Sequence, residues 1–316
     1  MTRHDPAAPI AIVGSVNMDV AAYLERLPRP GETLAGTDYR LGLGGKGANQ
    51  AVAVARLGHT PIFVARLGQD DFGHAAARAL SSHGVDNTYF FYDVASPTGI
   101  ALITVAMSGE NAIAIVPGAN ANLSLADVAA RQADLGKSRV LLLQLETPLA
   151  TSLAAARIVH AAGGTVILDP APAPAQALPP EVLQLVDVVT PNETESAALL
   201  GTAPSDLCEG LAAARTLVKR GFATAVVKLG ARGLAYATAK TADTMPAFKV
   251  KAIDTVAAGD CFNGGLAHGL AEGMPLPEAL RFAQATAALS TTLQGAASAA
   301  PTLAEVETFL TTAQTV

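Results

Sequence analysis

The feature that most constrains this chain is a rhythm of short, near-continuous runs of Val, Ile and Leu, separated by Ala-rich stretches with helical spacing. The apolar runs lie at residues 10–14, 62–67, 140–145, 165–169, 186–190 and 225–229. Each is nearly continuous rather than alternating, the pattern of a strand covered on both faces. Helical spacing recurs at 48–57, 73–83, 152–162, 206–220, 260–271 and 277–289. Strand alternating with helix predicts βαβ units, hence an α/β fold with a central, mostly parallel sheet and helices on both faces. Half of the 316 residues are apolar and 15% are charged, enough to fill such a core. At about 150 residues per domain, the length suits two domains or one large α/β unit with an accessory piece.

Two stretches break the rhythm. Residues 18–41 carry the turn Pro28, Arg29, Pro30, Gly31 between mixed apolar and polar residues, and residues 99–116 read as two strands joined by a hairpin turn at Ser108, Gly109 and Glu110. Neither supplies a helix. The expected division is therefore a large α/β unit of 1–16, 42–98 and 117–316, and a small β unit of 17–41 and 99–116. The two stretches of the small unit are expected to pair as a small antiparallel sheet beside a ligand cleft. A Pro-Ala loop from Asp169 to Pro180 follows the carboxyl end of a strand, where ligands of such sheets gather.

Charge and composition narrow the partners. With 21 basic and 27 acidic residues the net charge is −6, the wrong sign for neutralising a nucleic-acid backbone. No Trp is present, and 5 Tyr with 9 Phe supply poor base-stacking platforms or membrane belts. The longest uncharged run, between Phe282 and Leu303, is too rich in Thr, Ser, Gln and Gly to span a membrane. The first apolar run is broken by Gly14, Asn17 and Asp19 and reads as a strand, not a signal peptide. Two cysteines, without a CxxC pair or a zinc-like His spacing, suit a reducing cytoplasm. Neither nucleic acid nor membrane is an expected partner.

Two glycine-rich segments carry most of the chemistry. LGLGGKGANQ, residues 41–50, formally contains G-x-G-x-x-G at Gly42, Gly44 and Gly47, with Asp70 where a ribose-binding acid of a dinucleotide site would be sought. That fingerprint must follow the first strand directly, and here about thirty turn-rich residues intervene, so an NAD-dependent oxidoreductase is the remote reading. A P-loop fails because Gly47, not Ser or Thr, follows Lys46. Glycines beside the Lys46 ammonium and the Asn49 amide suit a polyhydroxylated small molecule, against the plainer reading of a turn before a helix. In DTVAAGDCFNGG, residues 254–265, the small residues Ala257, Ala258 and Gly259 open a helix near Asp260. Their N–H groups form an anion site at its N-terminus. An Asp there can be a plain N-cap, or a base that takes a proton from an attacking hydroxyl, worth about 10²–10⁴ in rate.

Weaker signals accompany these. Asn17 and Asp19 alternate onto one face, suited to adjacent hydroxyls or to a local turn. Glu146 ends a strand, and Asn192 and Glu195 open a helix, where an acid also simply complements the dipole. KLGARG, residues 228–233, fits a hairpin turn or a phosphate loop.

In this order and spacing, GSVNMD, PRPGET, GGKGANQAVA, LQLETP, DPAPA, TPNETE, KLGARG, DTVAAGDCFNGG and RFAQATAA resemble the ribokinase-like carbohydrate kinases, the phosphofructokinase B family, over almost the whole chain. The resemblance implies a β lid that often serves as a dimer clasp, hence a homodimer, and ATP-dependent phosphorylation of the terminal 5-hydroxyl of D-ribose. A 2-deoxyribose, nucleoside or ketose kinase is the alternative within the family. It further implies that Asn17, Asp19, Gly45, Lys46, Asn49 and Glu146 bind sugar, with Asp260 as the base and Ala257, Ala258 and Gly259 as the γ-phosphate's anion hole. ATP would be lined by Asn192, Lys228, Gly230, Ala231, Arg232, Gly233, Gly259 and Gln284, with Glu195 placing Mg²⁺ through water. A K⁺ site would match Asp254, Val256, Ser290, Leu293, Gly295 and Ala299. The last of these departs from the pattern, because a Ser is usual there and here Ser298 stands one residue earlier. Cys261 stands where some relatives have Thr, and its thiol is expected to pack while offering a site for alkylation.

Overall fold

A computed structural model describes residues 9–313. In chain order its strands are β1 (Ile10–Val13), β2 (Asn17–Leu24), β3 (Asp38–Gly44), β4 (Ile62–Gly68), β5 (Phe90–Asp93), β6 (Gly99–Ala106) and β7 (Asn111–Val116). They continue as β8 (Val140–Leu143), β9 (Thr165–Leu168), β10 (Val188–Val189), β11 (Thr224–Lys228), β12 (Leu234–Thr238) and β13 (Ala242–Met245). Nine form one sheet in the order β13-β12-β11-β10-β9-β8-β1-β4-β5. The six apolar runs supply β1, β4, β8, β9, β10 and β11, and every pairing among them is parallel. β12 and β13 close one edge antiparallel.

Alternate residues of the central strands bury on opposite faces, as a period of two requires. Ile10, Ile12, Leu142, Ile167 and Val226 enter one core, with the helices Lys46–Arg56, Ala258–Ala271 and Leu276–Ser290 packed above them. Ala11, Val13, Leu141, Val166 and Val227 enter the other, under the helices Leu149–Ala161 and Leu207–Lys219. The six expected helices are observed with ends within three residues of the expected spans, while others, Leu125–Ala130 and Leu303–Thr312 among them, lie outside those expectations.

The small sheet departs from expectation in two respects. Its order is β3-β2-β6-β7, but the two stretches that break the rhythm meet through a parallel β2–β6 pair. Only the outer pairs β2–β3 and β6–β7 are antiparallel, so the sheet is mixed. The reason is the intervening α/β chain, long enough to return β6 in the same direction as β2. β3 also runs to Gly44, past the expected limit at residue 41, because Gly42 and Gly44 stay in register with Asp19 and Asn17. Cross-strand register places Asn17 and Asp19 on the face shared by Ala101, Ile103, Ile113 and Ile115.

The helix Ala258–Ala271 reaches the Lys46–Arg56 helix at Gly264, where an added Cβ would lie 2.6 Å from the Cβ of Ala53. Gly264→Ala is therefore expected to overpack this contact and cost about 1–3 kcal/mol, read as a lower midpoint in urea unfolding at unchanged slope.

Candidate active site

The sheet reverses its direction of growth at β1, with β4 on one side and β8 on the other. Ligands of such sheets bind outside the carboxyl ends of strands at this switch point. There the chain collects Ser15 and Asn17 after β1, Gln144 and Glu146 after β8, Asp169 after β9, Asn192 after β10, and Lys228 at the end of β11. Above them the helices Lys46–Arg56 and Ala258–Ala271 point their N-termini at the same edge and bring Lys46, Asn49, Gln50 and Asp260.

Gly45 makes the entry to the first helix possible. Its φ is +90°, and an added Cβ would stand 2.8 Å from the Asn17 nitrogen. The helix consequently begins at Lys46, whose N–H donates to Glu146 Oε2 at 2.9 Å. The Ser15 hydroxyl donates to the same oxygen, so a carboxylate caps the positive end of this helix.

Asp260 is 5% exposed. Asn49 Nδ2 donates to its Oδ2 at 3.0 Å and Gln50 Nε2 to its Oδ1 at 3.1 Å. Its pKa is raised to about 6, chiefly by burial and also by Asp169, against the opposing pull of Lys46 and the two amide donors. Asp19 is likewise raised to about 6 by burial and by Glu146, and among the described residues nothing donates to its carboxylate. Burial alone would lower the Lys46 ammonium, but Asp260, Asp169, Glu146 and Glu195 together hold it above its ordinary value. The Asn49 Oδ1 is buried without a partner. Asn17 Oδ1 is held by Asn120 Nδ2 at 2.8 Å. This end of the site thus offers unmet acceptors in Asp19 and Asn49 with a fixed cation nearby, complementary to hydroxyl donors.

On the other side of Asp260 opens a cleft of about 660 Å³. Lys46, Asp169 and Asp260 form its inner end, and Asn192, Glu195, Lys228, Gly230, Ala231, Gly233 and Gln284 line its length. Phe248, Val250, Ala287 and Ala288 make its far part apolar. At its inner end Ala257 is left-handed, φ +59°, alone in this among the described non-glycine residues. It leads into the helix at Ala258, and no described acceptor takes the N–H of Gly259 or Asp260. Free N–H groups at a helix N-terminus, in a backbone held in a sparsely populated conformation, bind anions. Arg232 does not line the cleft: it forms an ion pair with Glu193. KLGARG proves to be both the β11–β12 hairpin turn and part of the cleft wall.

Glu195 is buried, and burial raises its pKa against the pull of Lys228. Its Oε2 accepts the Asn192 N–H at 2.8 Å in a capping box, while Oε1 takes no hydrogen bond from a described residue. Asp254 ties two loops together, accepting the N–H of Val256 and of Gly295, each at 3.0 Å. Leu293 follows, donating to the Ser290 carbonyl at 3.4 Å, and Ala299 adds only a buried methyl. Gly42 and Gly44 lie in β3 rather than in a turn after β1, so the G-x-G-x-x-G match is no dinucleotide fingerprint.

Four participants escaped the motif reading. Ser15, Gln50, Gln144 and Asp169 are buried polar residues with no spacing pattern of their own. A polar residue at the carboxyl end of each apolar run was the available signal, and it applies to Ser15, Gln144 and Asp169.

Comparison with known proteins identifies the family. The model of the pfkB family carbohydrate kinases matches residues 7–303. The ribokinase of Haemophilus influenzae is 42% identical over 301 residues, 95% of this chain and 98% of its own length. The deoxyribokinase of Salmonella typhi is 36% identical, over 95% of this chain and 98% of its own. The structure of Arabidopsis thaliana ribokinase complexed with ribose and ATP superposes with a TM-score of 0.88 at 34% identity, covering 97% of this chain and 99% of that one.

The expectation that the Cys261 thiol is open to alkylation is overturned. Cys261 is buried against the core, and burial pushes its pKa up to about 12, while Cys208 is exposed. A maleimide is expected to label one thiol of the native protein, Cys208, without loss of activity, and both after denaturation. Mass spectrometry of the labelled peptides reads the difference.

Proposed function

The chain belongs to the pfkB family of carbohydrate kinases, and on that premise we propose that it is a ribokinase, transferring the γ-phosphoryl group of ATP to the 5-hydroxyl of D-ribose. One observation carries the reading: Asp260 stands at the junction of a hydroxyl-accepting cluster and a long cleft whose inner end is a helix N-terminus. Phosphoryl transfer asks the protein for alignment, charge neutralisation and a base at the nucleophile. Asp19, Asn49, Glu146 and Lys46 hold the sugar, with Asn17 and Gly45 shaping the floor. Asp260 takes the proton of the 5-hydroxyl, whose oxygen bonds to the γ-phosphorus as the bond to the bridging β–γ oxygen breaks. The free N–H groups of Ala257, Gly259 and Asp260 receive the transferring group; Ala258, whose N–H is taken by the Thr255 carbonyl at 3.3 Å, shapes the turn that presents them. The cleft residues Asn192, Lys228, Gly230, Ala231, Gly233 and Gln284 hold ATP, and Arg232 shapes the rim through Glu193.

Mg²⁺ fits this site, since Glu195 offers an unbonded carboxylate oxygen in the cleft. Among the described residues no cluster of three His, Cys, Asp or Glu side chains is set to hold a metal, so phosphate and water would supply most ligands. Bound there, Mg²⁺ neutralises phosphate charge. K⁺ fits more narrowly, around Asp254, Val256, Ser290, Leu293 and Gly295, because Ala299 brings no hydroxyl. No helix among the described residues is long and apolar enough to cross a membrane, and free thiols suit the cytoplasm. Ile113 and Ile115, exposed on the Asp19 face of the small sheet, support a lid that pairs with a second copy as a homodimer.

ADP release with Mg²⁺-ATP is expected to require D-ribose, with 2-deoxyribose, fructose and adenosine slower; turnover confined to one of these three would overturn the ribose assignment. Asp260→Asn is expected to lower kcat by at least about 10². Because the base works only when ionised, kcat/KM of the native enzyme should fall as pH drops through about 6. Replacing K⁺ by Na⁺ at constant ionic strength is expected to lower the velocity, and an unchanged velocity would remove the K⁺ assignment.

A further inference from the structure

Behind Asp260 lies a buried amide relay, Gln50 and Gln144, that lines neither the cleft nor the sugar cluster. Gln50 is fully buried, and its Nε2 donates to Asp260 Oδ1 at 3.1 Å and reaches Asp169 Oδ2 at 3.4 Å. Ionised carboxylates only accept hydrogen bonds, so Gln50 must turn its NH₂ group toward them. Its Oε1 then faces Gln144, which must present its own NH₂, and Gln144 Nε2 stands 2.6 Å away. Flipping either amide alone would set oxygen against oxygen. The relay ends at Gln144 Oε1, buried without a partner. The space for that oxygen exists because residue 14 is glycine: a Cβ there would lie 2.1 Å from it. An apolar side chain would fill this space without stranding an acceptor.

We propose that Gln50, oriented by Gln144, is a positioning residue that fixes the carboxylate of Asp260 for proton transfer and holds it apart from Asp169. The inference rests on the reading of Asp260 as the base. Asn49 clamps Oδ2 from the sugar side and Gln50 clamps Oδ1 from behind, so the carboxylate is fixed at both ends and keeps a lone pair for the hydroxyl proton. The charged and titratable groups around it are Lys46 on the helix that carries Gln50, Asp169 at the end of β9 with its partner Lys228 at the end of β11, Glu195 acting on Lys46, and the Cys261 thiol beside it. Gln50 donates to the ionised form of Asp260, so losing that donor moves the acid limb of the pH profile upward.

The test uses the full-length protein. Gln50→Met is expected to lower kcat by about tenfold or more, to leave KM for ribose and for ATP within about twofold, and to shift the acid limb to higher pH. Gln144→Met should shift both kcat and the limb in the same direction by less, and carries the test should Gln50→Met not fold. In the Asp260→Asn background Gln50→Met should change the residual turnover by less than about twofold, since it acts only through the base. An unchanged kcat and limb in Gln50→Met, or an equal loss in the Asp260→Asn background, overturns the inference while leaving the base in place. Near-native turnover of Asp260→Asn itself would remove the base reading, and this inference with it.

Discussion

The arrangement at the carboxyl edge of the sheet depends on keeping one carboxylate both buried and hydrogen-bonded. Taking Asp260 out of water penalises its charged form, and an unpaired charge there would destabilise the helix that carries it. Asn49, Gln50 and the Lys46 ammonium offset that penalty, and all three come from five consecutive residues at the start of one helix. That helix is anchored in turn by Glu146 at its N-terminus and by the close approach at Gly45. The glycine turn, the Asn49 amide and the Asp260 carboxylate therefore form one cooperative unit, in which the position of each group is set by the others.

Around this unit the protein solves an electrostatic difficulty. The site gathers Asp19, Glu146, Asp169, Glu195 and Asp260, with Lys46 and Lys228 among them, in a chain of net charge −6. A polyphosphate cannot rely on a basic surface here. The left-handed backbone at Ala257 turns the chain so that free N–H groups face the inner end of the cleft, and these carry positive potential without a side chain. Lys228, paired with Asp169, and the unbonded oxygen of Glu195 complete a site in which fixed dipoles replace surface charge.

Close helix packing transmits this geometry. Gly264 against Ala53, Gly265 against Ala283 and Gly269 against Ala279 bring three helices into contact with little side chain between them. The helix bearing Asp260 consequently has small freedom to slide relative to the helix bearing Asn49 and Gln50, and the carboxylate–amide distances near 3 Å follow from that packing.

The sequence by itself determined the doubly covered sheet, because uninterrupted apolar runs such as Val140–Leu143 are stable only between two layers. It also marked the residues whose chemistry is local: the small residues at 257–259 beside Asp260, the glycine turn with Lys46 and Asn49, and the capping pair Asn192 and Glu195. The tertiary structure alone decided what depends on long-range register. β2 and β3 are too mixed in composition for their bounds and pairing to be read locally, and the parallel partner of β2, β6, lies about eighty residues away. β12 and β13 join the sheet antiparallel because a hairpin turn, not a helix, follows β11. Asp169, Gln144 and Gln50 read as isolated polar residues until the fold sets Gln50 within hydrogen-bond reach of Asp169, Gln144 and Asp260. The physical reason is the range of the interactions. Hydrophobic periodicity and helix capping act within a few residues and are written in the local chain, whereas a buried hydrogen-bond network exists only where distant segments have already packed.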